Sequence, residues 1–116
     1  NPEQAEGSAG EQAQRQRVWQ APVWIALGMQ LSHKFPEWEE LIAFGSAVHN
    51  MHLIASALGL AAKWNSGAVV LHQHVAAAVG FDIDTHLYGF LYVGHPAIDW
   101  PQGQRRPIAD KVRWES

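Results

Sequence analysis

Length, composition and charge limit what this chain can be. Its 116 residues suggest one domain or part of one, and a hydrophobic fraction of 47% is enough apolar material for a core. The charged fraction of 16% is low, which suits a protein that buries much of its surface, including surface against another subunit. The net charge of -3 gives no basic surface for nucleic acid, and the absence of cysteine excludes disulfides, cysteine–zinc ligation and thiol catalysis.

The first part of the chain is polar and is followed by an apolar strand. Residues 1–20 carry no initiator Met and no signal-like start, so we expect Asn1 to be a processed, cloned or truncated beginning. Their composition predicts a frayed polar arm with a short helix around Glu11 to Val18. The stretch "APVWIALGMQ", Ala21 to Gln30, opens with a proline and then runs apolar, which predicts a strand covered on both faces.

A long central helix is predicted after Pro36. Acidic residues in its first turn complement the helix dipole, and Gly59 is the expected stop. Apolar or small residues recur at helical spacing, at Trp38, Leu41, Ile42, Gly45, Val48, Ala55 and Leu58. The uncharged run from Leu41 to Ala62 is long enough to span a bilayer. However, His49, Asn50 and His52 near its middle would be costly in lipid, which favours a helix buried in protein.

The second half of the chain predicts one more helix, one more strand and a tail. The helix covers Val69 to Val79 and is closed by Gly80, and the strand covers His86 to Pro96 and is again apolar on both faces. The proline- and arginine-rich tail has too few apolar residues for a core of its own. Two strands make a marginal sheet, so we expect a partner chain, a segment absent from this sequence, or both to complete it.

Several side chains are candidates for chemistry, each with an ordinary alternative. His49 and His52, and likewise His72 and His74, have spacings that metal sites use, but no third ligand joins them, which favours packed or surface histidines and no metal. Most of the six tryptophans are expected to be core or interface anchors. Arg105 and Arg106 are adjacent tail arginines, usually solvated, that can also bind a phosphate.

The segment "KWNSG", Lys63 to Gly67, is unusually dense in hydrogen-bonding groups for a helix exit. A loop with Asn65, Ser66 and a flexible Gly67 could hold the edge of a planar cofactor, with the flat ring of Trp64 beside it. On turn composition alone, a simple capped turn is the favoured alternative.

Four segments in order resemble the FMN-dependent nitroreductase family, closest to its small single-domain bacterial branch. They are "APVWIALGMQ", "FPEWEELIAFGSAVHNMHLIASALGLAAKWNSGA", "VAAAVGFDIDTHLYGFLYVGHP" and "RRPIADKVRW", which together cover roughly Ala21 to Trp114. The Leu-Gly-Leu helix exit, the Trp-x-Ser-Gly loop and the Gly-Phe-Leu-Tyr-x-Gly strand are its most specific parts. Residues 1–20 do not match the Arg-Ser-x-Arg-type motif that opens such enzymes, so the domain is taken as residues 21–116 and as the family's C-terminal portion.

The resemblance implies an α+β fold, a central sheet flanked by helices, in a cytoplasmic homodimer with FMN at a shared site. It implies that chain ends reach across to the partner, and that neither nucleic acid nor membrane is bound. Trp64, Asn65, Ser66 and Gly67 match the loop that touches the flavin. Ile54 to Gly59 match, more loosely, a stretch assigned to the nicotinamide nucleotide, and Arg105 or Arg106 matches an arginine on the FMN phosphate.

Two functions follow from the resemblance. The first is an oxidoreductase that passes a hydride from NAD(P)H through FMN to a nitroaromatic, quinone or similar acceptor, with no catalytic side chain required. The second is a non-catalytic dimerisation or binding remnant of the same fold, which the unmatched arm favours.

Overall fold

The computed structural model describes residues 21–68, 71–99 and 101–116. Its elements in chain order are β1 (Val23–Gln30), α1 (Glu37–Ala57), β2 (Ala61–Asn65), α2 (Gln73–Ala78), β3 (Thr85–Gly94) and a 3-10 turn at Ile108–Asp110. The short helix predicted around Glu11 to Val18 lies outside the described residues, as does the start of the helix predicted at Val69. The mixture of helices with an antiparallel sheet confirms the α+β class.

The sheet has three antiparallel strands in the order β1-β3-β2. Trp24 pairs with Tyr92 and Ile25 with Leu91 on one side of β3, and Trp64 pairs with the same Leu91 on the other. The prediction of two strands was therefore wrong, because β2 was taken for part of a loop. A five-residue strand that carries a lysine and an asparagine has too little apolar alternation to stand out in the sequence.

The core lies between α1 and one face of the sheet. Leu27, Val48 and Leu91 are buried together, and Phe44 and Met51 of α1 pack on them with Ala62, Trp64 and Val93 of the sheet. β3 is buried at successive residues, Leu87 and Gly89–Leu91, as expected for a strand covered on both faces. In contrast, β1 leaves Val23 and Ile25 exposed in the described chain, so its cover on both faces, which was expected to need a partner chain or a further segment, stays a prediction.

Both helices end where the sequence places a glycine. Gly59 has φ 75° and donates its N–H to the Ser56 carbonyl at 3.0 Å, while the Leu60 N–H donates to Ala55 at 2.8 Å. These two bonds form a Schellman motif, which satisfies the last carbonyls of α1. Gly80, with φ 89°, closes α2 in the same way. No helix in the described ranges is long and apolar enough to cross a membrane.

Candidate functional site

The end of α1 is capped before the polar segment begins. Gly59 and Leu60 complete the helix, so Lys63 to Gly67 are not needed as caps. Instead, Ala61–Asn65 form the outer strand β2, and Ser66 and Gly67 follow it as exposed residues. Trp64 and Asn65 therefore lie in a strand and not in the loop that the sequence predicted, and the capped-helix explanation of this segment is wrong.

Trp64 is held inside the fold. Its indole Nε1–H donates to the backbone carbonyl of Tyr88 at 2.9 Å, and its ring meets Phe44 edge-on at a centroid distance of 6.0 Å. The indole lies against Gly89, where an added Cβ would come within 2.5 Å of the Trp64 Nε1 atom. The side chain thus stabilises the β2–β3 contact and the α1 face, so its contact with a flavin stays a prediction.

Asn65 is also fixed by internal bonds, and it shapes the strand exit. Its Nδ2–H donates to the hydroxyl of Tyr92 at 2.8 Å, and its Oδ1 accepts the Gly67 N–H at 3.4 Å. Behind this pair, Tyr92 packs on Trp24 with ring centroids 4.3 Å apart. The amide therefore orients the next two residues, while Ser66 and Gly67 remain exposed.

A second region lies between α1 and the C-terminal tail. There a groove of about 650 Å³ is lined by polar and small residues and two leucines from three segments, and we call it the α1–tail groove. Its members include His49, His52, Ser56, Gly59, Pro96 and Arg105. Two of the site residues predicted from the sequence, Gly59 and Arg105, therefore line the same groove. The neighbouring Arg106 is exposed and does not line it.

The structure divides the predicted site residues into these two regions. Trp64 to Gly67 do not line the α1–tail groove, although Ala62 of the same strand does. Gly67 follows Ala62 by five positions, so even a fully extended chain places them at most roughly 18 Å apart. A ligand that touches both the strand exit and the groove must be elongated along β2.

Sequence reasoning missed the residues that support the strand exit from β3. Tyr92 fixes the Asn65 amide, the Tyr88 carbonyl accepts from Trp64, and Gly89 makes room for the indole. Burial raises the pKa of the Tyr88 phenol, and the nearby Glu37 charge raises it further. The motif Gly-Phe-Leu-Tyr carried a signal in its glycine, because glycine inside a strand often marks a close approach of another group.

In the two histidine pairs, His49, His72 and His74 are exposed and His52 is half-buried. His72 and His74 stack at a centroid distance of 4.9 Å at the start of α2, where His72 Nδ1 accepts the His74 backbone N–H. In the ranges that the structure describes, no three His, Asp or Glu residues group as metal ligands would. The absence of a bound metal stays a prediction.

A model of the nitroreductase family matches residues 1–95. The chain belongs to the nitroreductase family. The match includes residues 1–20, which lie outside the described residues, so the domain boundary at residue 20 stays a prediction. The matched range contains the three strands of the sheet, the Gly59 helix exit and the Trp-x-Ser-Gly segment.

Relatives agree with this family membership. The chain is 34% identical over 86 residues to a protein of Escherichia coli strain K12 named "Putative NAD(P)H nitroreductase YdjA". That alignment covers 72% of this chain but 47% of the relative, so this nitroreductase-family chain spans about half the length of the curated relatives it matches.

Solved structures share the fold. A nitroreductase-like protein from Bacillus cereus superposes with a TM-score of 0.78 at 20% identity, over 96% of this chain and 60% of its own. A nitroreductase from Desulfovibrio desulfuricans, solved in complex with FMN, gives a TM-score of 0.66 at 30% identity, over 83% of this chain and 56% of its own. An FMN and NADPH-dependent nitroreductase, NfnB, from a Sphingopyxis strain gives 0.64 at 23% identity, over 94% of this chain and 51% of its own. The nitroreductase-like fold is therefore confirmed.

Proposed function

We propose that this chain belongs to an FMN-dependent oxidoreductase that passes a hydride from NAD(P)H to a nitroaromatic, quinone or similar acceptor. The observation that carries the proposal is the strand exit, where Ser66 and Gly67 are open to a ligand while Trp64 and Asn65 are held from behind. Support also comes from the Desulfovibrio relative, which was solved in complex with FMN.

The donor set at the strand exit fits a flavin edge. An isoalloxazine or ribityl edge presents several donors and acceptors, and each would cost about 1–3 kcal/mol if left unpaired. The Ser66 hydroxyl and backbone N–H groups can pair with them. A Cβ added at Gly67 would meet only Asn65 Oδ1, at 3.8 Å, so the backbone there can be approached closely.

FMN, when bound, would supply the two-electron chemistry, whereas the protein supplies binding and orientation. Ser66 and Gly67 would hold the flavin edge, and the Asn65–Tyr92 bond would keep them in place. The Arg105 guanidinium would bind the phosphate, and the small Gly59 leaves space beside it. The same proposal includes a contact between the nicotinamide nucleotide and the helix exit, Ile54 to Gly59.

A titration of FMN fluorescence tests the strand exit directly. Gly67→Ala has room to fold but places a methyl group where the ligand edge would approach the backbone. We expect FMN affinity to fall by about tenfold, which corresponds to about 1.4 kcal/mol or one net hydrogen bond. Gly103→Ala is the matched control, because nothing lies within 4 Å of the added Cβ and the residue lines neither region.

The outcomes of this titration separate the two candidate functions. If Gly67→Ala and the wild type bind FMN with equal affinity, Ser66 and Gly67 form an ordinary turn and do not contact the flavin. If the wild-type chain takes up no FMN even at saturating concentration, the non-catalytic dimerisation or binding remnant becomes the better proposal. The large apolar surface of α1 would then be its main functional feature.

The same proposal includes a homodimer with a site built from both chains. α1 carries apolar residues on several sides, yet Val48 and Ala55 are its only residues buried within the part of the chain that the structure describes. Ile54 and Leu58 border an apolar hollow of about 370 Å³ on one side of the helix. A helix that is hydrophobic all round is normally buried, so a second copy is the natural cover for it.

A further inference from the structure

The face of the sheet that turns away from α1 carries a side-chain cluster next to the strand exit. Leu91 packs in the core on the α1 side, so the next residue, Tyr92, points to the opposite face. Trp24 of β1 is paired directly with Tyr92 and lies on that face with it. Asn65 of β2 reaches the same face two residues beyond Lys63, which pairs with Tyr92 on its other side. We call Trp24, Tyr92 and Asn65 the three-strand cluster, because each strand of the sheet contributes one member.

The hydrogen bonds of the three-strand cluster leave one orientation for the Asn65 amide. The Gly67 backbone N–H can only donate, so the atom that faces it must be the acceptor Oδ1. The Nδ2 group then faces the Tyr92 hydroxyl oxygen, to which it donates at 2.8 Å. The Gly67 bond is long at 3.4 Å, whereas N–H···O bonds in proteins measure about 2.7–3.2 Å. The shorter bond to Tyr92 is therefore the one that fixes the amide.

Trp24 fixes the Tyr92 ring from the neighbouring strand. The two ring centroids are 4.3 Å apart with planes inclined at 32°, and Trp24 also meets Phe90 at a centroid distance of 5.5 Å. Aromatic pairs at such distances favour particular ring orientations beyond the area that they bury. Among the described residues, the buried Trp24 Nε1 has no hydrogen-bond partner, so the indole contributes packing alone to the cluster.

The strand exit depends on this cluster for its conformation. Within the described ranges, the bond from the Gly67 N–H to Asn65 is the only hydrogen bond that Ser66 or Gly67 forms. Glycine adopts many backbone conformations when nothing restrains it. A loop that is already ordered loses less conformational freedom when a ligand binds, and it binds more tightly for that reason.

We propose that Trp24 and Tyr92 are positioning residues that act through Asn65 to hold the strand exit in one conformation. Neither side chain contacts the ligand in this arrangement, and strand β1 controls the exit from the far side of β3. The consequence for flavin affinity rests on the proposed function, whereas the consequence for the conformation of Ser66 and Gly67 does not.

NMR of the full chain measures the strand exit without any ligand. Tyr92→Phe deletes the hydroxyl that accepts from Asn65 and keeps the ring against Trp24. We expect the Asn65 side-chain amide and the Gly67 backbone amide signals to shift together. Tyr88→Phe is the matched control, because it removes the other tyrosine hydroxyl of β3, which forms no hydrogen bond with a described residue. Equal shifts of the Gly67 signal in the two variants would overturn the proposal.

A pair of substitutions in β1 tests the part played by Trp24. Trp24→Leu removes the flat ring on which Tyr92 packs, so it should shift the Asn65 and Gly67 signals in the same way as Tyr92→Phe. Trp24→Phe keeps an aromatic ring and should restore most of the wild-type signals. If Trp24→Leu lowers the melting temperature but leaves both signals in place, Trp24 only packs the sheet and its positioning role is wrong.

A double-mutant cycle with FMN separates positioning from direct contact. Tyr92→Phe should weaken FMN binding by about threefold to tenfold, the size of one net hydrogen bond. In the Asn65→Ala background the same change should have less than about a twofold effect, because the residue through which Tyr92 acts is gone. An undiminished effect in that background would assign Tyr92 a direct contact with the ligand and contradict the proposal.

The positioning role and the proposed function fail separately in these experiments. A wild-type chain that takes up no FMN refutes the proposed function, while the Asn65 and Gly67 signals still decide the positioning role. FMN binding that Tyr92→Phe leaves unchanged refutes the positioning role and leaves the proposed function in place.

Discussion

At the scale of single residues, Gly89 has the most demanding position in the structure. Its φ of 133° lies in a region that L side chains rarely adopt, and it sits in the central strand β3. A Cβ there would come within 2.5 Å of both the Asn65 carbonyl and the Trp64 indole nitrogen. The close packing of β2 on β3 therefore requires glycine.

We predict that Gly89→Ala destabilises the protein by about 3 kcal/mol, from backbone strain and forced separation of the strands. Chemical denaturation followed by tryptophan fluorescence measures this, and Trp64 itself should report the loss of its packing. Gly103→Ala is the control, since it meets no atom within 4 Å. A change below about 1 kcal/mol for Gly89→Ala would show that the strands can separate without cost.

Residue-scale contacts also decide which substitutions can test ligand binding. Asn65→Ala would remove the bonds to Tyr92 and Gly67 as well as any bond to a flavin. A loss of FMN affinity in that variant would therefore not identify a direct contact. Ser66 and Gly67 have no such supporting role, which makes them the informative positions.

At the scale of elements, a hydrogen bond joins the β1–α1 connection to the first turn of α1. The Ser32 backbone N–H donates to Glu40 Oε1 at 3.0 Å, and the Ser32 hydroxyl accepts the Lys34 N–H at 3.2 Å. His33 between them has φ 59°, so the connection turns sharply at a residue other than glycine. The Ser32 hydrogen bonds, side chain first and backbone second, lower the pKa of Glu40 from its ordinary value of 4.5, and the His33 charge adds to this.

This lowered pKa predicts how stability depends on pH. The carboxylate form stabilises the fold above pH 4.5, and this contribution is lost as the pH falls through the lower pKa of the folded state. Glu40→Gln should therefore be less stable than the wild type near neutrality, with a difference that shrinks in acid. Unfolding curves at several pH values measure it.

Glu39→Gln is the matched control for Glu40→Gln. It removes the same charge from the same helical turn but leaves the Ser32–Glu40 hydrogen bond intact, so it measures the loss of the charge–dipole interaction alone. An identical pH profile for the two variants would assign the effect to the helix dipole and contradict the role of the Ser32 bond.

At the scale of the whole molecule, the described residues leave a large apolar surface exposed. Exposed side chains include Trp38, Ile42, Leu53 and Ile54 of α1, and Leu58 immediately after it. Between them lie small residues such as Ser46 and Ala57, which allow another backbone to approach. Isolated apolar side chains on a surface are normal, but a continuous face of them marks an interaction site.

We predict that the chain is an obligate homodimer that sediments without a folded monomer at micromolar concentration. Ile42→Glu, on the outward face of α1, should dissociate or unfold the dimer because it would bury an unpaired charge. Ile83→Glu is the control, since Ile83 is 97% exposed and lies on the loop before β3. A well-folded wild-type monomer would exclude the homodimer and the shared site with it.

The sequence by itself determined the bounds of α1, the end of α2, the buried strand β3 and the family, whereas α2 begins at Gln73 and not at Val69 as predicted. Pro36, the acidic first turn, Gly59 and Gly80 act through local backbone chemistry, so their effects can be read without tertiary contacts. The apolar run of β3 is likewise a local signal of burial on both faces. The resemblance carried by the Trp-x-Ser-Gly and Gly-Phe-Leu-Tyr-x-Gly motifs gave the fold.

Only the tertiary structure decided what the polar segment does. Ala61–Asn65 become a strand because β3 offers a hydrogen-bonding edge and Gly89 leaves room for the Trp64 indole. These partner residues of β3 lie more than twenty positions further along the chain. More than fifty positions separate His49 and His52 from Arg105, and these residues line one groove only because the tail lies along α1. Local patterns record which groups a segment carries, whereas their partners are set by chain pairing over long separations.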